Sequence, residues 1–379
     1  HEGSLPGGVT NENCYPNVMK YLDDYFAGVS SEEKNLYNTP DKAKWIIQYW
    51  QGVPQSGAFS VMKNKGYSDR FIGLDLFADA RGKAKRNTAY FSGCAFIFCM
   101  LHNFGGRSGM HGRMLTIMED YFSALSKSNM KGVGATPEGT ETNPILYDML
   151  FELPWMDASN PPTVDEWLAE YAHARYGIKN EKALSALNRL KESVWNCPND
   201  QQGTSEAVIL ARPKWAPDRV SSWSTAAIYW DTQEVLVAAD ELISISDLIT
   251  TEDGIANYNY DIIDVVRQSM VDYAYELLPL INAAKSEGNT DEYKRLYNLY
   301  LQLMLDLDTM LSYDENFKLE RWTSLARNIA DEVEGTTVND RNWLEWNART
   351  QVTVWSKGDT DLHDYSNRCW AGLIKDFHY

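Results

Sequence analysis

Phe96-Ile97-Phe98-Cys99-Met100-Leu101 is an apolar run that stops abruptly at His102-Asn103-Phe104-Gly105-Gly106. A run this short, with no polar residue at alternate positions, reads as a strand buried on both faces, as in a parallel sheet. Three further runs have the same character: Trp45-Ile46-Ile47-Gln48-Tyr49-Trp50, Phe71-Ile72-Gly73-Leu74-Asp75-Leu76 and Gly132-Val133-Gly134-Ala135. Helical stretches separate them. One opens at Ser30, with Glu33 placed for a capping box, and another covers about Gly109 to Lys127. Alternation of strand and helix predicts an α/β domain with a parallel sheet. A closed (β/α)8 barrel needs eight strands. Either the sheet is open, or residues 1–158 are the C-terminal half of such a barrel.

Ser159-Asn160-Pro161-Pro162-Thr163 marks the boundary, with Thr163 and Glu166 forming a second capping-box pattern. Residues 159–379 read as an all-α domain. Three apolar stripes recur at steps of three and four. They are Ile262, Val266, Ser269, Tyr273, Leu277 and Leu280; Leu296, Tyr300, Leu303, Leu307 and Met310; and Leu319, Trp322, Leu325, Ile329 and Val333. Long helices joined by short loops such as Ser286-Glu287-Gly288-Asn289 predict an antiparallel bundle.

The 379 residues suffice for two domains. With 35 Lys plus Arg against 53 Asp plus Glu, the net charge is −18. That balance argues against a nucleic-acid backbone or an anionic membrane surface as partner. Residue 1 is His, and the reading is of a processed product or a part of something longer. Thirteen Trp and 22 Tyr supply either a large aromatic core or rings that stack on the C–H faces of sugars. The five cysteines show no zinc spacing. Cys94 and Cys99 would point to opposite faces of a strand, so no metal and no cofactor are expected.

In parallel α/β architectures the reacting groups lie beyond the carboxyl ends of the strands. There this sequence places Trp50, Asp75 with Asp79, His102-Asn103, and Thr136-Pro137-Glu138-Gly139, while His1-Glu2-Gly3 stands at the N-terminus. Neither a phosphate-binding glycine loop nor a serine-nucleophile elbow is present. Carboxylates among aromatic walls are the inventory of a glycoside hydrolase.

The nine residues Phe98 to Gly106 resemble a signature of the α-N-acetylglucosaminidases, glycoside hydrolase family 89. The resemblance continues in order through Gly134–Gly139, Asn143–Tyr147, Trp167-Leu168, Tyr171, Arg175–Gly177, Ser193–Cys197, Trp355, Asp364–Arg368 and Trp370–Leu373. It implies a (β/α)8 catalytic barrel followed by an all-α domain, of which this chain would be roughly the second half. It also implies a nucleophile at Glu138 and an acid/base at Glu2, with Trp50, His102, Asn103, Trp355 and Tyr365 around the sugar. The implied reaction is the exo-acting, retaining removal of terminal α-linked N-acetylglucosamine from a mucin-type or heparan-derived glycan. The net charge favours a neutral glycan. The implied location is secreted, periplasmic or lysosomal.

Retention through an enzyme carboxylate requires the two carboxyl groups to stand about 5–5.5 Å apart. Two other readings remain open from sequence. The chain could be a non-catalytic sugar-binding or structural fragment, or one piece of a split enzyme whose partner is the N-terminal half of the same protein.

Overall fold

The computed structural model describes residues 5, 7–37, 42–50, 56–80, 89–139, 141–198, 208–212, 214, 216–221, 225–356 and 362–379. Two compact units emerge from the contacts. One takes in 1–102, 115–136 and 145–161; the other takes in 103–114, 137–144 and 162–379.

The first unit is built on four parallel strands: β1 (Trp45–Tyr49), β2 (Phe71–Asp75), β3 (Phe96–Met100) and β4 (Met130–Ala135), in the order β1-β2-β3-β4. They fall on the four apolar runs. Neighbours in sequence are neighbours in the sheet, so each connection crosses over. Helices α1 (Asn11–Gly28), α2 (Ser31–Tyr37), α3 (Ser56–Asn64), α4 (Met114–Lys127) and α5 (Pro144–Glu152) accompany the sheet along the chain. The Glu33 carboxylate accepts from the Ser30 N–H, and Ser30 Oγ accepts from the Glu33 N–H.

Two expectations need correction. β3 is buried almost throughout, but β1 alternates and leaves Ile46 59% exposed. β1 is an edge strand among the described residues, so burial on both faces does not hold for it. The helix expected from Gly109 begins only at Met114. The preceding residues spend their backbone groups on a loop instead: the Gly109 carbonyl and the His111 N–H both bond the Asn143 side-chain amide.

Aromatic rings fill the core of this unit. Phe91 stacks on Phe96 at 4.6 Å and meets Phe59 edge-on at 4.9 Å. Gly73 in β2 makes room for them, because a Cβ there would lie 2.5 Å from the Phe91 ring.

The second unit is helical: α6 (Val164–Tyr176), α7 (Glu181–Glu192), α8 (Thr232–Ile243), α9 (Glu252–Ser286), α10 (Thr290–Leu311), α11 (Leu319–Glu332) and α12 (Val338–Gln351). The Thr163–Glu166 capping box forms as expected. Leu277 and Ile281 of α9 pack with Leu296, Leu303, Leu307 and Leu311 of α10 in one core.

The α10 stripe faces that core, whereas the other two do not run as expected. On α9, Tyr273 and Leu280 are exposed while Asp264, Arg267, Gln268 and Asp272 are buried. Those polar residues satisfy one another and a loop, so burial does not follow hydrophobicity along that helix. On α11, Leu325 and Ile329 are more than half exposed, as is Val333 just past its end. Among the described residues no helix is long and apolar enough to cross a membrane.

Candidate active site

Glu138 lies three residues beyond the last residue of β4, in a turn too short to be a helix. It is exposed, and it lines a cavity of about 540 Å³ in the helical unit. Gly105, Gly106, Arg321, Trp322, Trp355 and Tyr365 are among the other residues of the wall. Both recorded hydrogen bonds to the Glu138 carboxylate end on the same oxygen. The Gly105 N–H donates to Oε2 at 2.6 Å, and the Tyr365 hydroxyl donates to Oε2 at 2.5 Å. Among the described residues no donor reaches Oε1, so the carboxylate is held by one oxygen in a residue that lines the cavity.

Glycines permit this grip. Gly105 has φ +65°, and a Cβ on it would stand 2.1 Å from the Tyr365 carbonyl oxygen. A Cβ on Gly139 would lie 2.7 Å from Gly106 Cα. The two loops and the Tyr365 segment therefore meet backbone to backbone, which side chains at these positions would prevent. The Gly105 carbonyl is bound in turn by Ser366 Oγ and Arg368 Nη1, each at 2.6 Å.

Tyr365 is desolvated, and its phenol pKa is pushed well above 10, first by burial and then by the hydrogen bond to Glu138. The proton stays on the phenol, which keeps the group a donor. The Arg107 guanidinium lies 6.0 Å over its ring. Trp355 stands 5.9 Å from the Tyr365 ring at 75° and is 36% exposed. Its backbone is left-handed, φ +51°, and its N–H donates to the Thr350 carbonyl at 2.7 Å. The side chain is thus turned out at the end of α12 rather than folded onto the helix.

Asn103 is fully buried. Its amide donates to Thr142 Oγ1 at 2.8 Å and to the Gly139 carbonyl at 3.3 Å. It braces the turn that carries Glu138 instead of facing the cavity.

His102 and Trp50 belong to the parallel-sheet unit. His102 is buried at φ +66°; its N–H donates to Asp79 Oδ2 at 3.2 Å and its ring meets Tyr147 edge-on. Asp79 also accepts from the Leu101 N–H at 2.8 Å, so it ties down the chain as it leaves β3. Trp50 packs 6.3 Å from Phe77. Glu2 lies outside the described residues. Among those described, no cluster of His, Cys, Asp or Glu is arranged to hold a metal.

The model of the α-N-acetylglucosaminidase C-terminal domain matches residues 167–379, more than half of the chain. The chain belongs to the α-N-acetylglucosaminidase family. The family's TIM-barrel model matches residues 11–157. Human α-N-acetylglucosaminidase is 30% identical over 351 residues, covering 89% of this chain and 44% of the human protein. A family 89 glycoside hydrolase from Clostridium perfringens, solved with 2-acetamido-1,2-dideoxynojirimycin, superposes with TM-score 0.84 at 28% identity. The alignment covers all of this chain and 40% of that one. A form of the same enzyme with two Glu-to-Gln substitutions, bound to its substrate GlcNAc-α-1,4-galactose, gives 0.83 over the same shares. The chain spans less than half the length of these relatives.

The family resemblance read from Phe98–Gly106 is therefore borne out. In this family member several cavity residues escaped the sequence reading. Arg321 pairs with Glu141 at 2.9 Å, and Trp322 donates its indole N–H to the Ala348 carbonyl. Trp322 and Leu325 belong to a stripe read as core, yet both line the cavity. Arg368 and Trp370 were visible only as motif residues. The Gly105 N–H donor could not be read at all, since every residue but proline has one.

Proposed function

We propose that this chain carries the nucleophile of an exo-acting, retaining glycoside hydrolase that removes terminal α-linked N-acetylglucosamine. The observation that carries the reading is the one-sided grip on Glu138. In α-linked GlcNAc the 2-acetamido group is cis to the leaving oxygen and cannot attack from behind it. Retention then needs an enzyme carboxylate on the opposite face. Oε1 attacks the anomeric carbon, the glycosidic C–O bond breaks, and a glycosyl-enzyme forms. Two donors on Oε2 hold the carboxylate in line throughout, which is where positioning lowers the barrier.

Glu2 is proposed as the acid/base that protonates the leaving oxygen and later activates water. We also propose that the four parallel strands are the C-terminal half of a (β/α)8 barrel, supported by the TIM-barrel model match over residues 11–157. The rest of the barrel would come from the N-terminal half of the same protein. Trp322, Trp355 and Tyr365 give the cavity aromatic walls on which a terminal sugar could stack, which supports the exo-acting reading. A neutral, mucin-type glycan is favoured over heparan by the net charge of −18.

The test is hydrolysis of aryl α-GlcNAc and aryl β-GlcNAc by the protein and its Glu138→Gln variant, with the product anomer read by NMR. Release of α-GlcNAc from the α-linked substrate alone, lost in the variant, supports the reading. Near-normal turnover by Glu138→Gln rejects Glu138 as the nucleophile, and no turnover by the unsubstituted protein favours a sugar-binding or structural role.

A further inference from the structure

Tyr365 reaches Glu138 from an awkward piece of backbone. The residue before it, Asp364, is 7% exposed and has φ +55°, a conformation that costs a non-glycine residue about 1 kcal/mol or more. A buried carboxylate in a strained turn persists only where its partners over-determine it. The partner is Arg212. Its Nε donates to Asp364 Oδ2 at 2.5 Å and its Nη2 to Oδ1 at 2.9 Å, a two-pronged contact across 152 residues of sequence. Arg212 follows Val208, Ile209 and Leu210, all buried in the helical core, so the fork stands on a rigid base. His378, half-buried, is a further titratable group near Asp364, and His363 precedes Asp364 in the chain. On the far side of Tyr365 the chain is held by Ser366 and Arg368 on the Gly105 carbonyl.

We infer that Arg212 and Asp364 are a positioning pair for the reaction. Their fork holds the left-handed turn from which the Tyr365 hydroxyl pins Oε2 of Glu138, leaving Oε1 to attack. Neither residue lines the cavity. Both act through Tyr365, and the inference rests on Glu138 as the nucleophile. Without the guanidinium, the buried Asp364 carboxylate loses its partner and the turn relaxes toward negative φ, carrying the phenol off Oε2.

The experiment is a kinetic double-mutant cycle on the whole protein with an aryl α-GlcNAc, using Arg212→Gln, Tyr365→Phe, the double variant and Arg212→Lys, with Glu138→Gln alongside. Arg212→Gln should lower kcat by about 10- to 100-fold, the range of one charge-assisted hydrogen bond, with KM changed less than about threefold. The double variant should be no slower than Tyr365→Phe alone, because the pair acts only through that hydroxyl. Arg212→Lys should recover part of kcat.

Two results overturn the inference: effects that multiply in the double variant, or a fall in thermal stability with kcat of the folded protein unchanged. Should Arg212→Gln fail to fold, Arg212→Gln with Asp364→Asn removes both charges and carries the same measurement. An active Glu138→Gln overturns the nucleophile reading and this inference with it. An inactive one beside a multiplicative cycle overturns the inference alone.

Discussion

The Tyr365 hydroxyl donates to Oε2 of Glu138 at 2.5 Å across a separation of 227 residues. The Gly105 N–H, from a third segment, ends on the same oxygen. Three distant stretches of chain therefore agree on the orientation of one carboxylate. A carboxylate held only by its charge would present either oxygen, whereas this one is held by a single oxygen.

Tyr365→Phe removes one of the two donors and leaves the ring beside Trp355. A hydrogen bond to a charged group contributes about 1.5–3 kcal/mol, so kcat for an aryl α-GlcNAc should fall about 10- to 100-fold. KM should change little if the hydroxyl serves Glu138 rather than the sugar. A loss confined to KM would show that the phenol is a substrate contact.

Gly105→Ala is expected to be far more damaging than its single methyl suggests. The added Cβ meets the Tyr365 carbonyl oxygen, and alanine resists φ +65°. Overpacking and strain together should cost roughly 2–4 kcal/mol in denaturant unfolding, with activity lost in the fraction still folded. A variant of normal stability and rate would mean that the loop can move away from the Tyr365 segment.

Asn143 is a hub for the loop between β3 and α4. Its Oδ1 accepts from the His111 N–H at 3.1 Å and the Trp195 indole at 3.0 Å, and its amide donates to the Gly109 carbonyl at 3.2 Å. Asn143→Ala removes one hydrogen bond from each of three groups, at about 1 kcal/mol net for each bond lost. We expect a loss of about 3 kcal/mol by chemical denaturation. An effect below about 1 kcal/mol would contradict the geometry.

Asp272 supplies a pH dependence. Burial pushes its carboxyl up from 3.8 to about 6, against the pull of hydrogen bonds from Trp230 Nε1 and Gln268 Nε2. Its folded pKa is above its unfolded one, so its contribution to stability is fully present below about pH 4. That contribution is lost as pH rises through about 6, and a shift of this size is worth roughly 3 kcal/mol. Thermal unfolding of the protein and of Asp272→Asn at pH 5 and pH 7.5 measures it. The advantage of the native residue should be larger at pH 5, and an advantage that grows toward pH 7.5 would refute the assignment.

The four strands were legible because each is a compact apolar run with a polar break behind it. The helix caps at Ser30 and Thr163 were legible because capping chemistry is local. The family was legible through the motifs around Gly105 and Glu138. The α9 stripe was misread because its buried face carries Asp264, Arg267, Gln268 and Asp272, and hydrophobic periodicity does not register polar groups satisfied inside the protein. Trp322 and Leu325 of α11 were misread because a cavity wall and a core seam ask for the same residues.

From sequence alone came the four strands, the helix caps and the family. Those follow from short-range pattern, which the chain carries wherever it goes. Which oxygen of Glu138 is held, that Asn103 braces the turn carrying Glu138, and that Arg212 stands behind Tyr365 were decided only in three dimensions. Each depends on a main-chain donor, a left-handed turn or an ion pair between segments far apart in the chain, and closure of the fold is what brings those segments within hydrogen-bonding reach.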